Sequence, residues 1–181
     1  MAKTFIFLAP GFEETEAITP TNILRRAGIE VSIISIASQK EVTGSHGITV
    51  IADSLFEDTD FSKGEILILP GGMPGAKNLN DHAGLKKLIL DYNSKGKYIS
   101  AICAAPMILG EMGLLKEEKA ISYPGYEKHL IGAQVTEERA VVSGKFITAK
   151  GPGVAIEFAL KIVEILKSGS LAKEIASAFI V

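Results

Sequence analysis

The chain has one cysteine in 181 residues, which excludes an internal disulfide and any multi-cysteine zinc or iron–sulfur site. It also lacks an excess of charge of either sign. Its 19 Lys and Arg stand against 21 Asp and Glu, a formal net charge of −2, so the basic stripe that marks nucleic-acid binding is absent. Long apolar runs are missing as well. The longest uncharged stretch, residues 98–110, is too short to span a bilayer and contains Pro106, so no membrane partner is expected. Met1-Ala2-Lys3 and a short apolar run lead straight to Glu13 and Glu14, which is not the pattern of a secretory leader. No internal repeat, linker or low-complexity tract interrupts the chain. What is plentiful is apolar: 47% hydrophobic residues against 22% charged excludes disorder. The expectation is a single domain over residues 1–181, soluble and cytoplasmic, in a reducing compartment.

Short apolar runs alternate with longer helical patterns. Residues 4–8 form the first run, ending at Pro10-Gly11, and a helical pattern follows to Arg26 with Gly28 as its stop. Further strands are expected at 31–36, 66–69 and 98–102, with a pair at 140–143 and 146–149 turning at Gly144. Helices are expected at 82–94, 104–112 and 154–167, and a last one capped by Ser170 runs to Ala178. Continuous apolar strands separated by helices predict a doubly wound α/β fold: a mostly parallel sheet with helices on both faces. Residues 42–51 alternate more, hold Gly44 and Gly47, and read as an edge ribbon or arm. Five of the seven prolines precede a glycine, four of them near strand ends, which directs attention to the face where strand ends meet.

Cys103 stands where the strand at 98–102 hands over to a helix, between the small residues Ala101, Ala104 and Ala105. That is the setting of a nucleophile elbow, where a helix end would lower the thiol pKa. The same residue would also fit an inert buried cysteine. Glu13, Glu14 and Glu16 follow the first strand; helical spacing puts Glu13 and Glu16 on one side and displaces Glu14. Acids in a first turn suit the helix dipole, and one buried beside a thiol would also hold a proton. Pro70-Gly71-Gly72 closes a buried strand with paired glycines, either a plain turn or a source of amides for an oxyanion. Neither G-x-G-x-x-G nor a phosphate-binding Gly-Lys-Ser/Thr occurs there. His46, His82 and His129 match no metal motif and read as surface residues.

Taken together, the chain resembles the ThiJ/PfpI superfamily, in its DJ-1-like branch. The resemblance rests on residues 8–16, on Arg25-Arg26-Ala27-Gly28 and on Leu69-Pro70-Gly71-Gly72. It continues through Ala101-Ile102-Cys103-Ala104-Ala105-Pro106 and Gly151-Pro152-Gly153. It implies a flavodoxin-like fold, a homodimer and a reactive cysteine, Cys103, whose partner is Glu16, with the amides of Gly72 and Ala104 binding an oxyanion. Tyr123 stands where many members have a histidine, and a phenol is a poor base at neutral pH. Ala104 replaces the histidine that follows the cysteine in the protease-like branch, which disfavours peptidase activity. His46, on the arm, becomes a candidate substrate contact in a dimer.

Three functions follow from this reading. The first is a cofactor-independent and metal-independent glyoxalase or deglycase. It would act on methylglyoxal-like aldehydes or their protein adducts, with Cys103 as nucleophile, Glu16 as proton carrier and Tyr123 orienting substrate. The second is a redox-sensing, stress-protective chaperone in which Cys103 oxidises to a sulfinate without turnover. The third is a binding or structural member that has lost activity.

Overall fold

The computed structural model describes residues 3–181; Met1 and Ala2, at the start of the segment weighed as a leader, lie outside the described residues. In chain order the elements are β1 (Lys3–Leu8), α1 (Glu14–Arg26), β2 (Glu30–Ser35), β3 (Glu41–Thr43), β4 (Thr49–Ile51), β5 (Ser54–Leu55), β6 (Ile66–Leu69), α2 (Gly75–Asp81) and α3 (Ala83–Ser94). There follow β7 (Tyr98–Ile102), α4 (Pro106–Glu111), β8 (Lys119–Ala120), β9 (Gln134–Val135), β10 (Ala140–Ser143), β11 (Phe146–Ala149), α5 (Ala155–Leu166) and α6 (Gly169–Ala178). Single 3₁₀ turns lie at Glu127–His129 and Pro152–Val154.

The apolar runs do not alternate because the strands they form are covered on both sides: every residue of β6 is buried, and all but the first of β1 and of β7. They build a seven-stranded sheet of order β10-β11-β7-β6-β1-β2-β5. All neighbours are parallel except β10 and β11, an antiparallel hairpin turning at Gly144. This is the flavodoxin-like arrangement. α1, α5 and α6 pack together as one helical group and α2, α3 and α4 as another, and both groups touch the sheet. Phe5, Phe7, Phe12, Tyr92 and Phe158 are buried between these layers. Each such burial is worth about 1.5–3 kcal/mol.

β1 has β2 on one side and β6 on the other, with Ile6 opposite both Ile33 and Ile68. The chain leaves β1 toward β2 and later crosses back to β6. The strand order therefore reverses between β1 and β6, and their carboxyl ends border a crevice. Pro10-Gly11, Pro70-Gly71 and Gly151-Pro152-Gly153 follow β1, β6 and β11 at this end.

Several expectations are corrected. The helix after Cys103 starts at Pro106, not at Ala104: proline at N1 fixes the start, and the helix is only six residues long. The last helix is capped by Ser168, whose Oγ accepts the Leu171 N–H at 3.2 Å, not by Ser170. α2, β5, β8 and β9 were not foreseen. The arm holds: β3 and β4 form a separate antiparallel ribbon. Its turn end is tied to the β1–α1 loop by Gly11 N–H to Thr43 O (2.9 Å) and Ser45 N–H to Phe12 O (2.8 Å).

Candidate active site

β7 delivers Cys103 to the crevice in a left-handed conformation, φ 64°, which few residues other than glycine adopt. Both of its peptide groups are held. Its N–H donates to the Ala149 carbonyl at 2.9 Å, and its carbonyl accepts the Tyr123 N–H at 2.8 Å. Over-determination of this kind keeps a strained residue in place. The residue is 9% exposed, at the border of the buried core.

Glu16 reaches the same point from the first turn of α1 and is fully buried. Its carboxyl lies beside the Cys103 side chain, both flanking Gly71, and its Oε2 accepts the Gly71 N–H at 2.8 Å. Its Oε1 is buried with no hydrogen-bond partner and is free to carry a proton. The backbone N–H groups of Gly72 and Ala104 favour the charged form of the sulfur. Gly71 lies between these parts: a Cβ there would meet the Cys103 Cβ and Glu16 Oε2 at 2.7 Å and the Ala104 nitrogen at 3.0 Å. The structure thus brings Cys103, Glu16, Gly72 and Ala104 together. It adds Gly71, whose part the sequence reading missed because Pro-Gly-Gly also reads as an ordinary turn.

Burial pushes the Glu16 carboxyl up to about 7, against the opposing effects of Cys103 and the Gly71 N–H. Burial, and then the neighbouring Glu16 charge, push the Cys103 thiol up to about 12, with the Gly72 and Ala104 amides pulling the other way. The expectation of a thiol lowered by a helix end is therefore corrected. α4 begins three residues beyond the sulfur and is too short to outweigh burial. The two groups titrate as a unit. Glu16 ionises well before Cys103, so over a wide span of pH the pair holds one proton.

The other acids separate. Glu13 is the N-cap of α1, its Oε2 accepting the Glu16 N–H at 2.7 Å. Glu14 turns to the arm, where it accepts the His46 N–H at 2.8 Å and meets His46 Nδ1 at 2.9 Å. Burial works against its charge, but these bonds and the Ile48 N–H hold its pKa down to about 2. Glu14 in turn raises the pKa of the exposed His46 imidazole. The ligating atoms of Glu13, Glu14 and His46 lie within 4.8 Å of one another, a convergence that sequence spacing conceals. Helix capping and arm attachment account for their contacts. His82 caps α3 through Nδ1, and His129 pairs with Glu111 at 2.8 Å. The Tyr123 ring is half exposed and lies over Gly151, next to a cavity of about 310 Å³.

Residues 2–165 match the model of the DJ-1/PfpI family. The chain belongs to that family. It is 36% identical to protein DJ-1 homolog A of Arabidopsis thaliana over 94% of its length. It spans less than half of that relative, 44%, and 41% of the related homolog B. A Pyrococcus abyssi family member named a deglycase is 34% identical over 91% of this chain and 99% of its own. Among solved DJ-1 structures, the oxidized Toxoplasma gondii protein superposes with a TM-score of 0.96 at 38% identity, covering 99% of this chain and 98% of that one. Among the described residues of this DJ-1/PfpI member, no helix is long and apolar enough to cross a membrane.

Proposed function

We propose that the chain is a cysteine-dependent glyoxalase or deglycase acting on methylglyoxal-like aldehydes or their protein adducts, with no cofactor or metal required. The observation that carries this reading is the fully buried Glu16 carboxyl, which meets Cys103 and the Ala104 amide around Gly71. The name of the Pyrococcus relative supports the same class of chemistry.

With one proton in the pair, moving it from sulfur to Glu16 gives a thiolate and a neutral acid. That move removes the charge that raises the thiol pKa and turns Glu16 into a donor. The thiolate attacks the aldehyde carbon, a C–S bond forms, and the carbonyl electrons pass to oxygen. The Gly72 and Ala104 amides stabilise that oxyanion, and Glu16 gives it its proton to complete the hemithioacetal. Glu16 then carries the aldehyde hydrogen, as a proton, to the neighbouring carbon. The aldehyde carbon is thereby oxidised to a thioester and the ketone carbon reduced to an alcohol. Water cleaves the C–S bond, releasing the hydroxy acid and restoring the thiol. Tyr123, and His46 from the arm, are assigned to substrate orientation. The exposed apolar residues Ile18, Ile48 and Ile51 support a homodimer.

Lactate formation from methylglyoxal tests the reading. Cys103→Ser should abolish it, and Glu16→Gln should lower it by about 100-fold or more. Wild-type rates in both variants would refute the mechanism.

The second reading is a redox-sensing, stress-protective chaperone, and the oxidized state of the Toxoplasma relative favours it. Cys103 would consume two peroxides and release two waters to become a sulfinate held by Glu16 and the same amides. A mass gain of two oxygens confined to Cys103 under mild peroxide supports this reading. Oxidation of methionines first counts against it.

A further inference from the structure

β11 ends at Ala149, whose carbonyl holds the Cys103 N–H. The next residue, Lys150, begins one wall of the cavity of about 310 Å³. Tyr123 and Pro124 line the cavity as well, and the Tyr123 N–H holds the Cys103 carbonyl. One peptide group of the nucleophile is thus bonded to a lining residue and the other to the residue before one, which puts the cavity next to the elbow. Gly151-Pro152-Gly153 keeps the wall open: a Cβ on Gly151 would press on the Tyr123 ring at 3.1 Å.

Two lining residues, Arg139 and Lys150, are cationic, and none is acidic. Arg139 is committed elsewhere, its Nε at 3.0 Å from Glu157 Oε2 and its guanidinium at 3.2 Å from the Gly153 carbonyl. Lys150 is not. Its nearest carboxylate, the fully exposed Glu137, is 3.9 Å away, longer than a charge-assisted hydrogen bond. The remaining walls are proline, glycine, valine and an aromatic ring. One uncommitted positive charge in a largely apolar cavity matches one negative charge.

We propose that this cavity is a carboxylate-binding subsite of the Cys103 centre. In this view the chain prefers reactive carbonyl compounds that bear a carboxylate over neutral ones of the same size. The ammonium of Lys150 receives the carboxylate, Arg139 shapes the wall, and Tyr123 covers the carbon chain between carboxylate and reacting carbon. This substrate class rests on the aldehyde-enzyme reading above, but the site can be tested without turnover.

The test compares Cys103 alkylation by iodoacetate and by iodoacetamide, and by 3-bromopropionate and its amide. Members of a pair are nearly equal in size and differ in charge. The acid-to-amide rate ratio cancels any general change in thiol reactivity. In Lys150→Gln that ratio should fall about tenfold for at least one pair, and Lys150→Arg should restore it. An unchanged ratio in Lys150→Gln for both pairs overturns the subsite. A wild-type ratio that depends on Lys150, in a protein making no hydroxy acid from methylglyoxal, overturns the enzyme reading and leaves the subsite standing. A thiol inert to all four reagents overturns both.

Discussion

At Gly71 the crevice has room for a hydrogen atom and nothing larger. A methyl group there would push apart Cys103, Glu16 and the Ala104 amide together. Gly71→Ala should therefore lower hydroxy-acid formation by about 100-fold, the usual effect of displacing a reacting group by about 1 Å. It should also slow Cys103 alkylation, which reads the thiol directly. The proton shared with Glu16 is read by pH. Alkylation of the wild type should still be rising above pH 9, because burial and the Glu16 charge hold the thiol up. In Glu16→Gln the thiol titrates alone in a buried setting. Without the Glu16 charge its midpoint should move down, toward the ordinary thiol value near 9. How far these residues are legible in the sequence differs for each. Cys103 between small alanines stands out as an elbow. Glu16 does not, because three glutamates share one helical turn and only tertiary packing decides which is buried. Family resemblance, not spacing, singled it out.

Among the elements, α4 shows how packing overrides local preference. Gly110 lies inside this helix, where alanine is ordinarily favoured by about 1 kcal/mol. Here an added Cβ would overlap the His129 carbonyl and meet Leu130 Cα at 2.7 Å. Gly110→Ala should thus destabilise the protein by about 1–3 kcal/mol, seen as a lower urea midpoint at unchanged slope. The buried strands β6, β7 and β11, and the edge strand β10, have the bounds expected from their apolar runs. α2 was hidden by the proline and glycine residues ahead of it, which read as loop. β5, β8 and β9 are two residues each and too short to carry a period. The start of α4 was misplaced because Ala104 and Ala105 favour helix, yet both are spent on the turn that aims the thiol.

For the molecule as a whole, the buried acid ties stability to pH. The folded chain keeps a proton on Glu16 up to about pH 7, whereas an unfolded carboxyl loses it near 4.5. Between those values the folded state binds more protons, so stability falls as pH rises through the window. Glu14 acts in the opposite sense: its depressed pKa adds stability above 4.5 that is lost as pH drops toward 2. Denaturant melts from pH 4.5 to 8 should show the decline in wild type and little of it in Glu16→Gln. At pH 8 the variant should be the more stable, by on the order of 3 kcal/mol at most. The left-handed backbone at Cys103 pulls in the same direction. Glycine at that position would relax the turn and relieve the crowding around it. A descendant released from needing the sulfur would grow sturdier by discarding it, so an unbroken line of descendants that retain it would reveal selection for its reactivity.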